Sequence, residues 1–151
     1  MVGATRMRIS AKGEYAIRAV LDLALHQGGG LIPIQEIAAR QRIPQRYLEQ
    51  VLLALKRAEL LTSKRGASGG YHLTRSPEQV TVGEVLRAVE GASAPFEAPG
   101  RDRAWRDGHE LGELWGAIAE AVSAVVDRLT FGELAARARE RLSVARPMYH
   151  I

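Results

Sequence analysis

The chain has 151 residues, 46% of them hydrophobic and 25% charged: enough apolar material for one globular domain, and too much for a chain disordered throughout. Lysine and arginine outnumber aspartate and glutamate by 21 to 17, and the sequence pI of about 9.8 favours a polyanionic partner. Cysteine is absent, which excludes disulfides, thiol catalysis and thiolate-held clusters, and no apolar run approaches the roughly 20 residues that cross a bilayer.

Residues 1–6 carry no pattern, and residues 1–8 lack the apolar centre of a signal peptide, so the expected location is the cytoplasm. From Ser10 to His26 the positions Tyr15, Ala16, Ala19, Val20, Leu23 and Ala24 keep a helical period. Ser10 suits the N-cap, and the glycines after Gln27 end the helix. Lys12, in the first turn, is a candidate contact for a nucleic-acid backbone.

A short helix follows over residues 34–40, with Ile34, Ile37 and Ala38 on one side. Only Gln41, Arg42 and Ile43 separate it from a second pattern over residues 44–57, where Pro44 fits the first helical position. There Leu48, Val51, Leu52 and Leu55 fall at i, i+3, i+4 and i+7, so one face must be buried. The opposite face carries Gln45, Arg46, Glu49, Gln50 and Lys56, side chains able to hydrogen-bond base edges in a major groove. Any amphipathic helix has a polar face, and this one alone would read as a solvated surface helix. Two short helices joined by a tight turn, however, are the helix-turn-helix arrangement.

Downstream, residues 61–65 and 71–74 alternate apolar and polar around a glycine-rich tip, the pattern of a β-hairpin. A helix-turn-helix followed by such a hairpin is a winged helix. Lys64 and Arg65 then stand where they reach phosphates or a narrow minor groove. Charge agrees: residues 1–91 are net +5 and residues 92–151 net −1, with seven basic residues between Arg40 and Arg65.

Thr81 and Glu84 match a capping box that opens a helix ending before Gly91. Residues 92–109 are aperiodic and read as a loop or linker. Over residues 110–129 the apolar positions Leu111, Trp115, Ile118, Val122, Val125 and Leu129 form a heptad seam, expected to pair with its counterpart in a homodimer. Thr130 and Glu133 repeat the capping pattern and open a short last helix to about Glu140; residues 141–151 read as an irregular tail. The expected fold is thus mainly α with a small β-hairpin wing. A winged helix-turn-helix domain over residues 7–91 is joined through 92–109 to a long dimerisation helix and short terminal helix over 110–140.

Several strings in this order resemble the IscR, NsrR and CymR family of bacterial winged-helix regulators, the Rrf-two family. They are Met7 to Gly13 with Tyr15 and Ala16, Tyr47 to Gln50, Arg65-Gly66 with Gly69 to Tyr71, Val82 to Glu84 with Glu90 and Gly91, Leu114-Trp115, and Leu129-Thr130 with Glu133 and Leu134. The resemblance implies that Arg46, Tyr47, Glu49 and Gln50 face the groove, that Lys56 lies near the backbone, and that Arg65, Gly66 and Ala67 enter the minor groove. It implies a homodimer on a pseudo-palindromic operator in double-stranded DNA, acting as a repressor.

Cluster-bearing members place three cysteines in the loop before the long helix, where this chain has none, so no iron–sulfur cluster or other cofactor is expected. The likeness is greatest to the cluster-free CymR-like members, through Ala92 to Glu97 and the ending Met148 to Ile151. It implies a link to cysteine metabolism and docking of Ile151, with Tyr149, in the cysteine synthase CysK. Against an enzyme stand the missing P-loop lysine, G-x-S-x-G and His-Glu-x-x-His patterns, and the scattered His26, His72, His109 and His150 suggest no metal site. The competing expectation is a winged-helix adaptor that works through a protein partner such as CysK; the basic Arg40 to Arg65 window argues against it.

Overall fold

The computed structural model describes residues 6–7, 9–97 and 110–145. The first long helix, α1 (Ala11–Leu25), begins at Ser10, whose hydroxyl accepts from the Gly13 N–H at 3.3 Å. Ser10 also donates its backbone N–H to the Glu90 carboxylate at 2.9 Å and its hydroxyl to the same group, so the end of a later helix closes the start of this one. A side chain at position 13 would occupy the space of that carboxylate.

The helix-turn-helix consists of α2 (Ile34–Gln41) and α3 (Gln45–Arg57). Arg42 ends α2 in the left-handed conformation, φ 53°, with its N–H on the Ala38 carbonyl. Pro44 caps α3 rather than occupying its first turn, one position from the expected place. Leu48, Val51, Leu52 and Leu55 are all buried, as their spacing requires, and join Ala16, Ala19, Val20 and Leu23 of α1 in one core. Burying each such leucine or valine is worth about 1.5–3 kcal/mol, so this stripe fixes which face of α3 remains outside.

Strands β1 (Leu61–Lys64) and β2 (Gly70–Leu73) pair antiparallel, Leu61 opposite Leu73 and Lys64 opposite Gly70. The hairpin is tied to the segment before α2 by two backbone bonds between Ile32 and Tyr71, of 2.9 and 2.8 Å. Next, α4 (Val82–Glu90) opens with the capping box read from Thr81 and Glu84, both of its bonds formed at 3.1 Å.

At the start of the chain and beyond α4 the structure departs from the sequence reading. Two-residue strands that the sequence does not predict, Arg6–Met7 and Phe96–Glu97, pair antiparallel. Strands so short carry no periodicity to read. Helix α5 (Glu110–Val126) stops before Leu129, because the chain turns there to pair Thr81 with Thr130 and to place Leu129 against the core. Helix α6 (Phe131–Ala145) is longer than the short helix expected, and it folds back on α1 with Phe131, Ala135 and Ala138 buried. Tyr149 and Ile151 lie outside the described residues.

Candidate nucleic-acid interface

The burial of one α3 stripe leaves Arg46, Tyr47, Glu49, Gln50 and Lys56 exposed on the other side. The Arg46 guanidinium lies over the Tyr47 ring, 5.1 Å from its centre, and donates to the Tyr47 hydroxyl at 3.3 Å. Such an exposed pair is worth about 0.5–1 kcal/mol and holds a flexible cation at the start of the helix.

The wing approaches the same helix. Glu49 and Lys56 of α3, with Lys64, Arg65, Gly66 and Ala67 of the hairpin, line one open groove of about 580 Å³, which the start of α2 closes at Gln35. The chain thus brings the candidate contact residues Glu49, Lys56, Lys64, Arg65, Gly66 and Ala67 into one concavity. Arg46 and Gln50 stand outside it on the same exposed side of α3, and Tyr47 is exposed on the flank away from Lys56. Lys12 is exposed on α1 and does not line the groove.

Glycine sets the shape of the wing. A Cβ at Gly69 would overlap the backbone carbonyl of Lys64, and one at Gly70, φ 156°, would overlap the backbone of Ile32. The close turn and the tie to the α2 entry therefore both need a residue without a side chain.

Two polar anchors escaped the sequence reading. Asp22, at the edge of the apolar stripe of α1, is 1% exposed. Its carboxylate accepts from Arg40 Nε at 3.0 Å, Arg40 Nη2 at 2.9 Å and Gln41 at 3.1 Å, fastening α1 to the end of α2. The hydrogen bond to Asp22 outweighs partial burial and raises the Arg40 pKa above its usual value. The signal in the sequence is a lone aspartate in the otherwise apolar run from Ala19 to Leu25. The second anchor is Glu84, which accepts from Arg75 at 2.6 Å and joins the foot of the wing to α4. Burial pushes its carboxyl up, but the Arg75 and Thr81 hydrogen bonds prevail and its pKa is lowered.

On α5 no residue is buried, and Leu114 and Val125 are 47% and 64% exposed. Leu111, Ile118 and Val122 are half-buried, while Trp115 meets Phe96 with ring centres 6.4 Å apart. Among the described residues no helix is long and apolar enough to cross a membrane, and no group of three or more His, Cys, Asp or Glu is placed to hold a metal ion.

A helix-turn-helix with an exposed polar face and a cationic, glycine-shaped hairpin beside it defines a winged-helix DNA-binding regulator of transcription. The chain belongs to the Rrf2 family, whose sequence profile, described as an iron-dependent transcriptional regulator, matches residues 9–137. It is 38% identical over 129 residues to the HTH-type transcriptional regulator IscR of Sodalis glossinidius, covering 85% of this chain and 78% of that one. Among solved structures it is similar to CymR, the global cysteine regulator of B. subtilis, with a TM-score of 0.72 and 35% identity over 86% of this chain and 97% of that one. It is also similar to T. potens IscR, with a TM-score of 0.74 and 34% identity over 89% and 90% of the two chains. These relatives are transcriptional regulators, and the chain is not an enzyme. With no cysteine in the sequence, its residues do not fit a thiolate-held iron cluster.

Proposed function

We propose that the protein is a homodimeric, cluster-free repressor that binds a pseudo-palindromic operator, working in the cytoplasm where that DNA lies. The observation that carries this reading is the shared groove of α3 and the wing, which aligns Glu49 and Lys56 with Lys64 and Arg65. In this reading, Arg46, Tyr47, Glu49 and Gln50 face the major groove, Lys12 and Lys56 meet phosphates, and Arg65, Gly66 and Ala67 enter the minor groove. Glu49 selects rather than attracts, because a carboxylate accepts from cytosine N4 and repels phosphate. Dimerisation uses the uncovered apolar side of α5 through Leu111, Ile118, Val122 and Val125, flanked by Trp115; Leu129, packed on its own core, contributes at most the edge.

The link to cysteine genes rests on the likeness to CymR. Docking of Ile151 and Tyr149 in a cysteine synthase of the CysK type is a separable part of that link; deleting Ile151 should abolish it, and unchanged CysK binding would remove it. The test of the main reading is selection of genomic fragments by the purified protein, followed by a salt titration on the best fragment. Recovery of a palindrome upstream of sulfur or cysteine genes supports the whole reading. A palindrome elsewhere keeps the regulator and discards the cysteine link, and binding insensitive to salt argues for a protein-directed adaptor.

A further inference from the structure

One side chain on the outer face of α3 does not belong to the polar set. Leu53 is 47% exposed, in a helix whose other four leucine and valine positions facing the core are at most 1% exposed. At about 100° per residue, Leu53 stands within roughly 20° of Arg46 on the helix circumference and nearly opposite the buried stripe. It lines the groove beside Glu49, Lys56, Arg65 and Ala67. About half of this side chain stays in water, so the fold draws only part of the benefit that the buried leucines of α3 give. A scattered surface leucine is ordinary, but this one lines the groove that the proposed reading sets against DNA.

We propose that Leu53 is a specificity-determining residue that packs on the 5-methyl group of a thymine. In the major groove that methyl is the single apolar mark among the base edges, and it is met by apolar side chains. The surrounding cations, Lys56 and Arg65, supply the attraction to phosphate that brings such a weak contact into register. Glu49 lies one helical turn before Leu53 on the same side, so the pair would read a cytosine and a neighbouring thymine. Leu53 follows Arg46 by seven residues, about 10 Å along the helix, which places the thymine no more than about three base pairs from the base that Arg46 meets.

The inference rests on the proposed reading of α3 as the DNA-contacting helix, and the experiment separates the two. Duplexes are selected from a randomised library with the purified wild-type protein. Each thymine of the best duplex is then replaced in turn by deoxyuridine, which removes the methyl group and leaves the pairing intact. At one thymine in each half-site, deoxyuridine should weaken wild-type binding about fourfold, equivalent to about 0.8 kcal/mol for one methyl. Leu53→Ala, and Leu53→Ser as a second variant, should bind the thymine and deoxyuridine duplexes equally. If no substitution weakens the wild type, or if the variants lose as much as the wild type does, the thymine contact is wrong while sequence-specific binding stands. Failure of the library to yield any enriched duplex would overturn both.

Discussion

Asp22 shows how much a single buried carboxylate can organise. It sits 1% exposed where α1 meets α2, with three hydrogen bonds from Arg40 and Gln41, so removing it leaves the Arg40 guanidinium with Glu36 alone and strands the Gln41 amide. Asp22→Ala should cost about 3 kcal/mol, the lower end for a broken buried pair because Arg40 keeps some contact with water. Urea denaturation measures this, and a loss below about 1 kcal/mol would mean that the pair is not holding the two helices. At the interface, Arg65→Ala should weaken binding to most duplexes and reduce the salt slope by about 1, because a cation in a narrow minor groove acts mainly through its charge. Glu49→Ala should instead change which sequences are preferred; an equal loss on all duplexes would remove its reading role.

At the scale of elements, the wing depends on two further features besides its backbone tie to Ile32. One is the glycine turn. Gly69→Ala would force the turn open against the Lys64 carbonyl, and the expected result is DNA binding weakened at least about tenfold with the helical circular dichroism unchanged, since the helices do not rest on that turn. Full retention of affinity would show that the wing tip is not used. The other is the attachment of Arg75 to Glu84. The carboxyl pKa is lower in the folded chain than its ordinary 4.5, so this contact stabilises above that pH and is lost as the pH falls through the folded value. The stability difference between wild type and Glu84→Gln should therefore be largest near neutrality and shrink on acidification below about pH 4.5, and a difference independent of pH would assign the contact no electrostatic part. Solvent access to both side chains keeps the effect small.

Over the whole molecule, the distribution of burial separates two tasks. Helices α1 to α4 and α6 share one core, whereas α5 contributes only partly covered side chains, with Val126 turned to that core and Val125 64% exposed. An apolar helix left open in one protomer is the surface that a second copy would cover. Val125→Glu should leave the protomer folded and convert a dimer to a monomer in light scattering, with loss of cooperative binding to a palindrome. A wild type that is monomeric at micromolar concentration would overturn the dimer, and with it the two-fold operator.

The sequence alone determined whatever depends on short-range pattern. The α3 stripe, the Thr81 and Glu84 capping box, the Ser10 cap and the glycine-tipped hairpin each rest on contacts a few residues apart, so periodicity and residue type were sufficient to place them. Tertiary structure decided what depends on contacts between distant segments. The pairing of Arg6 with Glu97, the closure of α1 by Glu90, the return of α6 to α1 and the groove between Lys56 and Arg65 join residues that no period connects. Leu53 belongs to both: its place on the helix circumference could be read from spacing, but its exposure was decided only once the core had claimed the opposite face.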